Sequence, residues 1–160
     1  MSYLHKLISH RAATAILLAT AGGSVHAQLG STIGTATVSS GTSDQLAPVI
    51  HQADNSALRW EETIDANQIR VRQYVSANGL VYAVSWDGPA MPDVSVLLGT
   101  RFDGYRQGAS AALENANSLR SSHVEGSDFV TETSVRLREF SGRAWLPEAL
   151  PAGVTTADIE

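Results

Sequence analysis

Five arginines stand at spacings that would let them share a surface. Arg70 and Arg72 are two apart in IRVRQYV, Arg136 and Arg138 are two apart in VRLREF, and Arg143 follows in FSGRAW. Residues i and i+2 of a strand point to the same face, so each pair would project together. A guanidinium offers a planar fork of donors that suits phosphate, sulfate or carboxylate. If the two strands were neighbours, the face between them would be a basic stripe. Tyr74 shares the face of Arg70 and Arg72, and Trp145 follows Arg143 by two, which adds ring surface for a sugar or aromatic ligand. These seven residues, Arg70, Arg72, Tyr74, Arg136, Arg138, Arg143 and Trp145, are the candidate ligand-binding set. The opposing expectation is that Glu61, Glu62, Glu132 and Glu139 pair with the arginines across the ladder, because like charges directly opposed destabilise a sheet.

Catalytic chemistry is less well supplied. Only His51 and His123 remain once the first 27 residues are set aside. His123 and Glu125 would share a strand face, giving two ligands where a metal site needs three or four. Ser141 lies at a strand end, outside any G-x-S-x-G elbow. A glycan-hydrolysing pair of carboxylates roughly 5 to 9 Å apart would have to come from Asp87, Asp93, Glu132 and Glu139. Asp93, however, suits a helix N-terminus, and Asp87 suits a turn before Gly88-Pro89. The chain has no cysteine, which removes thiol catalysis, thiolate metal sites and disulfides. No catalytic residue, cofactor or metal is expected.

Lys6 and Arg11 precede a ten-residue apolar run from Ala12 to Ala21, and Val25-His26-Ala27 places small or aliphatic residues at a peptidase's reading positions. This predicts a signal peptide over 1–27, cut after Ala27, and too short to span a bilayer. With no cysteine at the cut there is no lipid anchor, so the expected destination is the periplasm or the medium. The remaining chain has nine arginines against sixteen acids, a formal charge of −7, which argues against nucleic acid as a partner. Its length suits one domain.

Residues 28–44 are small and hydroxylated and read as a flexible leader, with an edge strand through Ile33, Ala36 and Val38 as the lesser alternative. The spacing of Leu46, Val49, Ile50, Ala53 and Ala57 predicts a short helix that Asp44 would cap, with Pro48 in its first turn. Trp60–Ile64, Ile69–Val75 and Leu80–Trp86 read as a three-strand meander with a hairpin at Asn78-Gly79. The last of these is apolar on both faces and so belongs at the centre of a sheet. Pro92 and Asp93 open a short helix that Gly99 ends; Thr100 starts another, with Phe102, Tyr105, Ala109, Ala112, Leu113 and Ala116 as its apolar stripe. Strands follow over Asp128–Thr133 and from Val135 to Phe140, with a turn at Thr133-Ser134. Trp145 and Leu150 then act as lids in a tail folded over the core. The fold class is α+β: an antiparallel sheet of about five strands, a meander plus a C-terminal hairpin, with helices on one face. A single domain spans 45–155 and a short tail covers 156–160.

Several pieces stand in a distinctive order. They are Arg72-Gln-Tyr-Val-Ser-x-x-Gly79, Val81-Tyr-Ala-Val-x-Trp-x-Gly-Pro89, Pro92-Asp-Val-x-x-Leu-Leu-Gly99, Phe140-Ser-Gly-Arg-Ala-Trp-Leu-Pro147 and Leu150-Pro-x-Gly153. In these the chain resembles a proteobacterial exported family known as domain of unknown function 2844. Gln73 stands where that pattern has glutamate, and Trp145 where tyrosine is commoner. The resemblance implies export and a shared fold, and it carries no activity. The leading expectation is a noncatalytic periplasmic binding or accessory domain whose partner is an envelope protein or an anionic or glycan ligand. The alternatives are a carboxylate-dependent hydrolase of an envelope glycan and a structural protein acting as a homodimer.

Overall fold

A computed structural model describes residues 28–33, 49–53, 58–115 and 120–160. The expected signal peptide, most of the leader and both ends of the expected first helix lie outside the described residues. Among the described residues seven strands form one antiparallel sheet: β1 (Val49–Gln52), β2 (Arg59–Ile64), β3 (Arg70–Val75), β4 (Val81–Gly88), β5 (Ser121–Glu125), β6 (Val130–Arg136) and β7 (Glu139–Trp145). Their spatial order is β1-β2-β3-β4-β7-β6-β5. The apolar strand β4 is therefore fourth of seven, with Val81 to Trp86 buried throughout.

A register shift keeps β4 apolar on both sides. Tyr74 pairs with Ala83 and Val75 with Val81, so Tyr82 is the extra residue of a bulge. Val81, Val84 and Trp86 consequently join one cluster while Tyr82 and Ala83 join another on the opposite face. The first face is covered by α1 (Val94–Leu98) and α2 (Phe102–Asn115), joined by a 3-10 turn over Gly99–Arg101. Asp93 caps α1 by accepting from the amides of Ser95 and Val96 at 3.0 and 3.3 Å. Gly99, at φ 56°, ends it. α2 lies close on β5: a Cβ on Gly108 would come within 2.4 Å of Val124 Cγ1, so only glycine lets the helix seat there. The second face is covered by the C-terminal segment, with Val154 and Ile159 packed on Tyr74, Tyr82, Ala83 and Trp145.

The α+β class holds, but the sheet has seven strands where about five were expected. Val49–Gln52 is a strand and not part of a helix. It pairs with β2, and His51 stacks on Trp60 with ring centroids 5.1 Å apart. An open sheet edge satisfies a short β-branched segment better than one isolated helical turn does. β5, where His123 and Glu125 were read as sharing a strand face, was left out of the strand count because Val124 is its only buried side chain. The last hairpin turns at Leu137-Arg138 and not at Thr133-Ser134, which stand inside β6. The start of the leader is anchored, not loose. Leu29 is 1% exposed; its amide donates to Leu97 O and that of Gly30 to Val81 O, both at 2.8 Å.

Leu137 occupies the first position of a two-residue hairpin loop, at φ 56° and 103% exposed. Glycine is favoured there, and a non-glycine side chain in that region costs on the order of 1 kcal/mol. Leu137→Gly should therefore raise stability by about 0.5 kcal/mol once the entropy of an added glycine is subtracted. Urea denaturation reads this directly, and a lower midpoint would show that Leu137 has a contact elsewhere.

Candidate functional site

On the face beneath the C-terminal segment, the strand register lines side chains into rows that cross the sheet. One row is largely aromatic: His51, Trp60, Tyr74, Ala83, Trp145 and Val130. The next is ionic: Glu62, Arg72, Ser85, Arg143, Glu132 and His123. The third runs Arg70, Asp87, Ser141, Ser134 and Ser121. Same-face residues two apart along each strand generate this spacing, and the residues between them point away.

The ionic row is paired along its length. Arg72 Nε donates to Glu62 at 2.9 Å and Arg143 Nε to Glu132 at 2.8 Å. His123 meets Glu132 through Nδ1 at 3.3 Å and Glu125 through Nε2 at 3.1 Å. Ser85 interrupts the alternation of charge, and the chain itself fills the interval. The main-chain oxygen of Glu160 accepts from Arg72 Nη1 at 2.6 Å, from Tyr74 OH at 2.8 Å and from the Ser85 hydroxyl. Arg143 Nη1 donates to the carbonyls of Thr156 and Ile159 at 2.6 and 3.1 Å. Its guanidinium also lies 5.5 Å from the centre of the Trp145 ring. Two expected ligand-binding arginines thus hold the protein's own C-terminal segment. Arg70 pairs with Glu62 and Asp87 at 3.7 and 3.3 Å.

Between the ionic row and the serine row lies a trough of about 600 Å³, crossing β4, β7, β6 and β5. His123, Glu132 and Arg143 form one wall, Ser121, Ser134 and Ser141 the other, and Ile159 and Glu160 border it. The Ser134 and Ser141 hydroxyls make no hydrogen bond to the described residues. The Arg143 hydrogen bond, followed by the contact with His123, holds the Glu132 carboxyl below its ordinary value. Hydrogen bonds that the His123 imidazole donates to Glu125 first, and then to Glu132, raise it above its own.

Because folded His123 holds its proton more tightly than the unfolded chain does, its contribution is complete below the ordinary imidazole value of 6.5 and drains away as pH climbs through the raised value. The side chain is half exposed, so the gain is below about 1 kcal/mol. Wild type should lose this increment of stability between pH 6 and 9 relative to His123→Gln. Parallel urea midpoints for the two proteins over that range would remove the assignment.

Of the candidate residues, Arg70, Arg72, Tyr74, Arg136, Arg143 and Trp145 share this face, with Arg136 at its hairpin end beyond Ser134. Arg136 and Arg138 do not join Arg70 and Arg72, because β4 and β7 separate β3 from β6. Arg136 instead borders a second depression of about 300 Å³ with Ser134, Glu139 and Ser141, and Arg138 is in the hairpin loop. Of the carboxylates considered for hydrolysis, Asp93 caps α1 and Glu139 borders the second depression, while Asp87 and Glu132 both line the trough, paired with Arg70 and Arg143. Gln73 points to the helix side, away from the trough. Ser141 was weighed only as a nucleophile and Ser134 not at all, although Ser134-x-Arg136 and Ser141-x-Arg143 both place a hydroxyl on the same strand face as an arginine. Among the described residues no group of three metal-ligating side chains converges.

No curated protein and no solved structure matches the chain. A family described as "Protein of unknown function (DUF2844)" matches residues 25–159, and the chain belongs to that family.

Proposed function

We propose that the protein is an exported, noncatalytic binding domain whose trough takes an envelope ligand. The observation that carries this reading is the trough itself, about 600 Å³ of recess on a rigid sheet whose ionisable walls are tied to opposite charges. A ligand pocket of this size is ordinary for a small-molecule or oligomer site. A glycan hydrolase needs one carboxyl kept protonated near neutral pH, whereas Arg143 drives Glu132 toward the ionised form. That favours recognition over hydrolysis. The apolar run ahead of Ala27 supports export.

Filling the trough tests the reading. Ser141→Trp should leave the folded spectrum intact and abolish retention of envelope material by immobilised protein, measured by mass spectrometry of the eluate against wild type. Equal retention by both proteins would place the ligand elsewhere, and turnover of retained glycan would restore the hydrolase.

A further inference from the structure

We propose that the trough recognises an uncharged, hydroxyl-rich chain, a neutral glycan lying across the strands; this rests on the reading of the trough as the ligand site. Three observations lead there.

The first is charge. Arg143 already spends Nε and Nη2 on Glu132 and Nη1 on two backbone carbonyls. An anionic ligand meets an arginine whose charge Glu132 already offsets and most of whose donors are used. A cation meets the same obstacle, because Glu132 is engaged by Arg143 and His123 together. A charged ligand would therefore gain little net attraction from a row whose charges already offset one another. A ligand without charge leaves the row intact and still finds its outward lone pairs and N–H groups.

The second is the opposite wall. Ser121, Ser134 and Ser141 are register partners on three adjacent strands, so their hydroxyls repeat at the interstrand distance of about 4.8 Å. With Asp87, the partner of Ser141 on β4, the row spans roughly 14 Å, three such steps. A hydroxyl both donates and accepts, which matches a ligand whose own groups do both at regular intervals.

The third is direction. The trough runs perpendicular to the strands, and its floor is backbone whose N–H and C=O groups are already used in the ladders joining β4, β7, β6 and β5. An extended peptide is recognised by main-chain pairing along a sheet edge. This floor offers none, so a peptide would leave its own backbone groups unmet. A glycan needs only side-chain partners.

Amide chemical shifts of the 15N-labelled protein test the assignment against chitotetraose, cellotetraose and maltotetraose as neutral probes, with tetragalacturonate and hexaalanine as charged and peptide controls. At least one neutral tetrasaccharide should shift residues 132–134 and 141–143, neither control should, and Ser134→Ala/Ser141→Ala should weaken that binding about tenfold, as expected for two lost hydrogen bonds. Shifts at the same residues from tetragalacturonate or hexaalanine alone would overturn the ligand class while leaving the trough as the site. Shifts confined to other residues, or none from any neutral probe, would overturn the ligand class as well. Only the retention comparison with Ser141→Trp decides whether the trough binds at all.

Discussion

Trp145→Ala lowers stability by about 3 kcal/mol or more, the usual cost of truncating a buried aromatic to alanine. Trp145 is 7% exposed and packs with Tyr74, Tyr82, Val154 and Ile159, so its removal empties the middle of the cluster beneath the C-terminal segment. It also removes the ring that supports the Arg143 guanidinium. Urea denaturation should show a midpoint lower by that amount at an unchanged slope, and the melting temperature should fall by about 10 °C. A variant that melts within a degree or two of wild type would return Trp145 to the surface and with it the contact role suggested by its place beside Arg143.

Ile159→Ala should cost nearly as much, about 2 to 4 kcal/mol, although it lies one residue from the end of the sequence. Ile159 is 0% exposed, its carbonyl accepts from Arg143, and the main-chain oxygen of the next residue, Glu160, accepts from Arg72 and Tyr74. The two variants share one cluster, so their effects should not add: the double variant should fall short of the sum by about 0.5 kcal/mol or more. An Ile159→Ala protein as stable as wild type would mean that the segment frays and does not close the face. Additive effects would mean that Trp145 and Ile159 stabilise separate regions.

The middle of the sheet was legible because its signals are local. Leu80–Trp86 is apolar without alternation, Asn78-Gly79 fixes the hairpin, and Asp93 and Gly99 bound α1, each a short-range statement about backbone and burial. β1 and β5 were not legible for the same reason in reverse. Val49–Gln52 becomes a strand only because β2 offers an edge, and β5 has one buried apolar residue to announce it. Thr133-Ser134 carries turn-forming residue types yet sits mid-strand, while Leu137, a poor turn residue, takes the loop.

The candidate face shows the same division. That Arg70, Arg72 and Tyr74 share a side followed from period two, and so did the placing of Arg143 with Trp145. Which strands lie beside them did not, since the order β4-β7-β6 is a long-range outcome. The expectation that glutamates neutralise the arginines is met by Glu62 and Glu132. Nothing in residue spacing pointed to Glu160 as the group that completes the ionic row, because a main-chain oxygen has no sequence signature. The serine row was hidden because serine is common, and becomes distinctive only when three strands align it.

Amide hydrogen exchange of the purified protein, with and without a soluble envelope fraction, tests most directly whether the arginines hold the chain's own C-terminal segment while the trough is left for the ligand. Residues 154–160 should be protected in both conditions, and added protection should appear over 130–136 and 139–145. Loss of protection over 154–160, with new protection at 70–74, would put the ligand on the arginines in place of the segment and contradict the account.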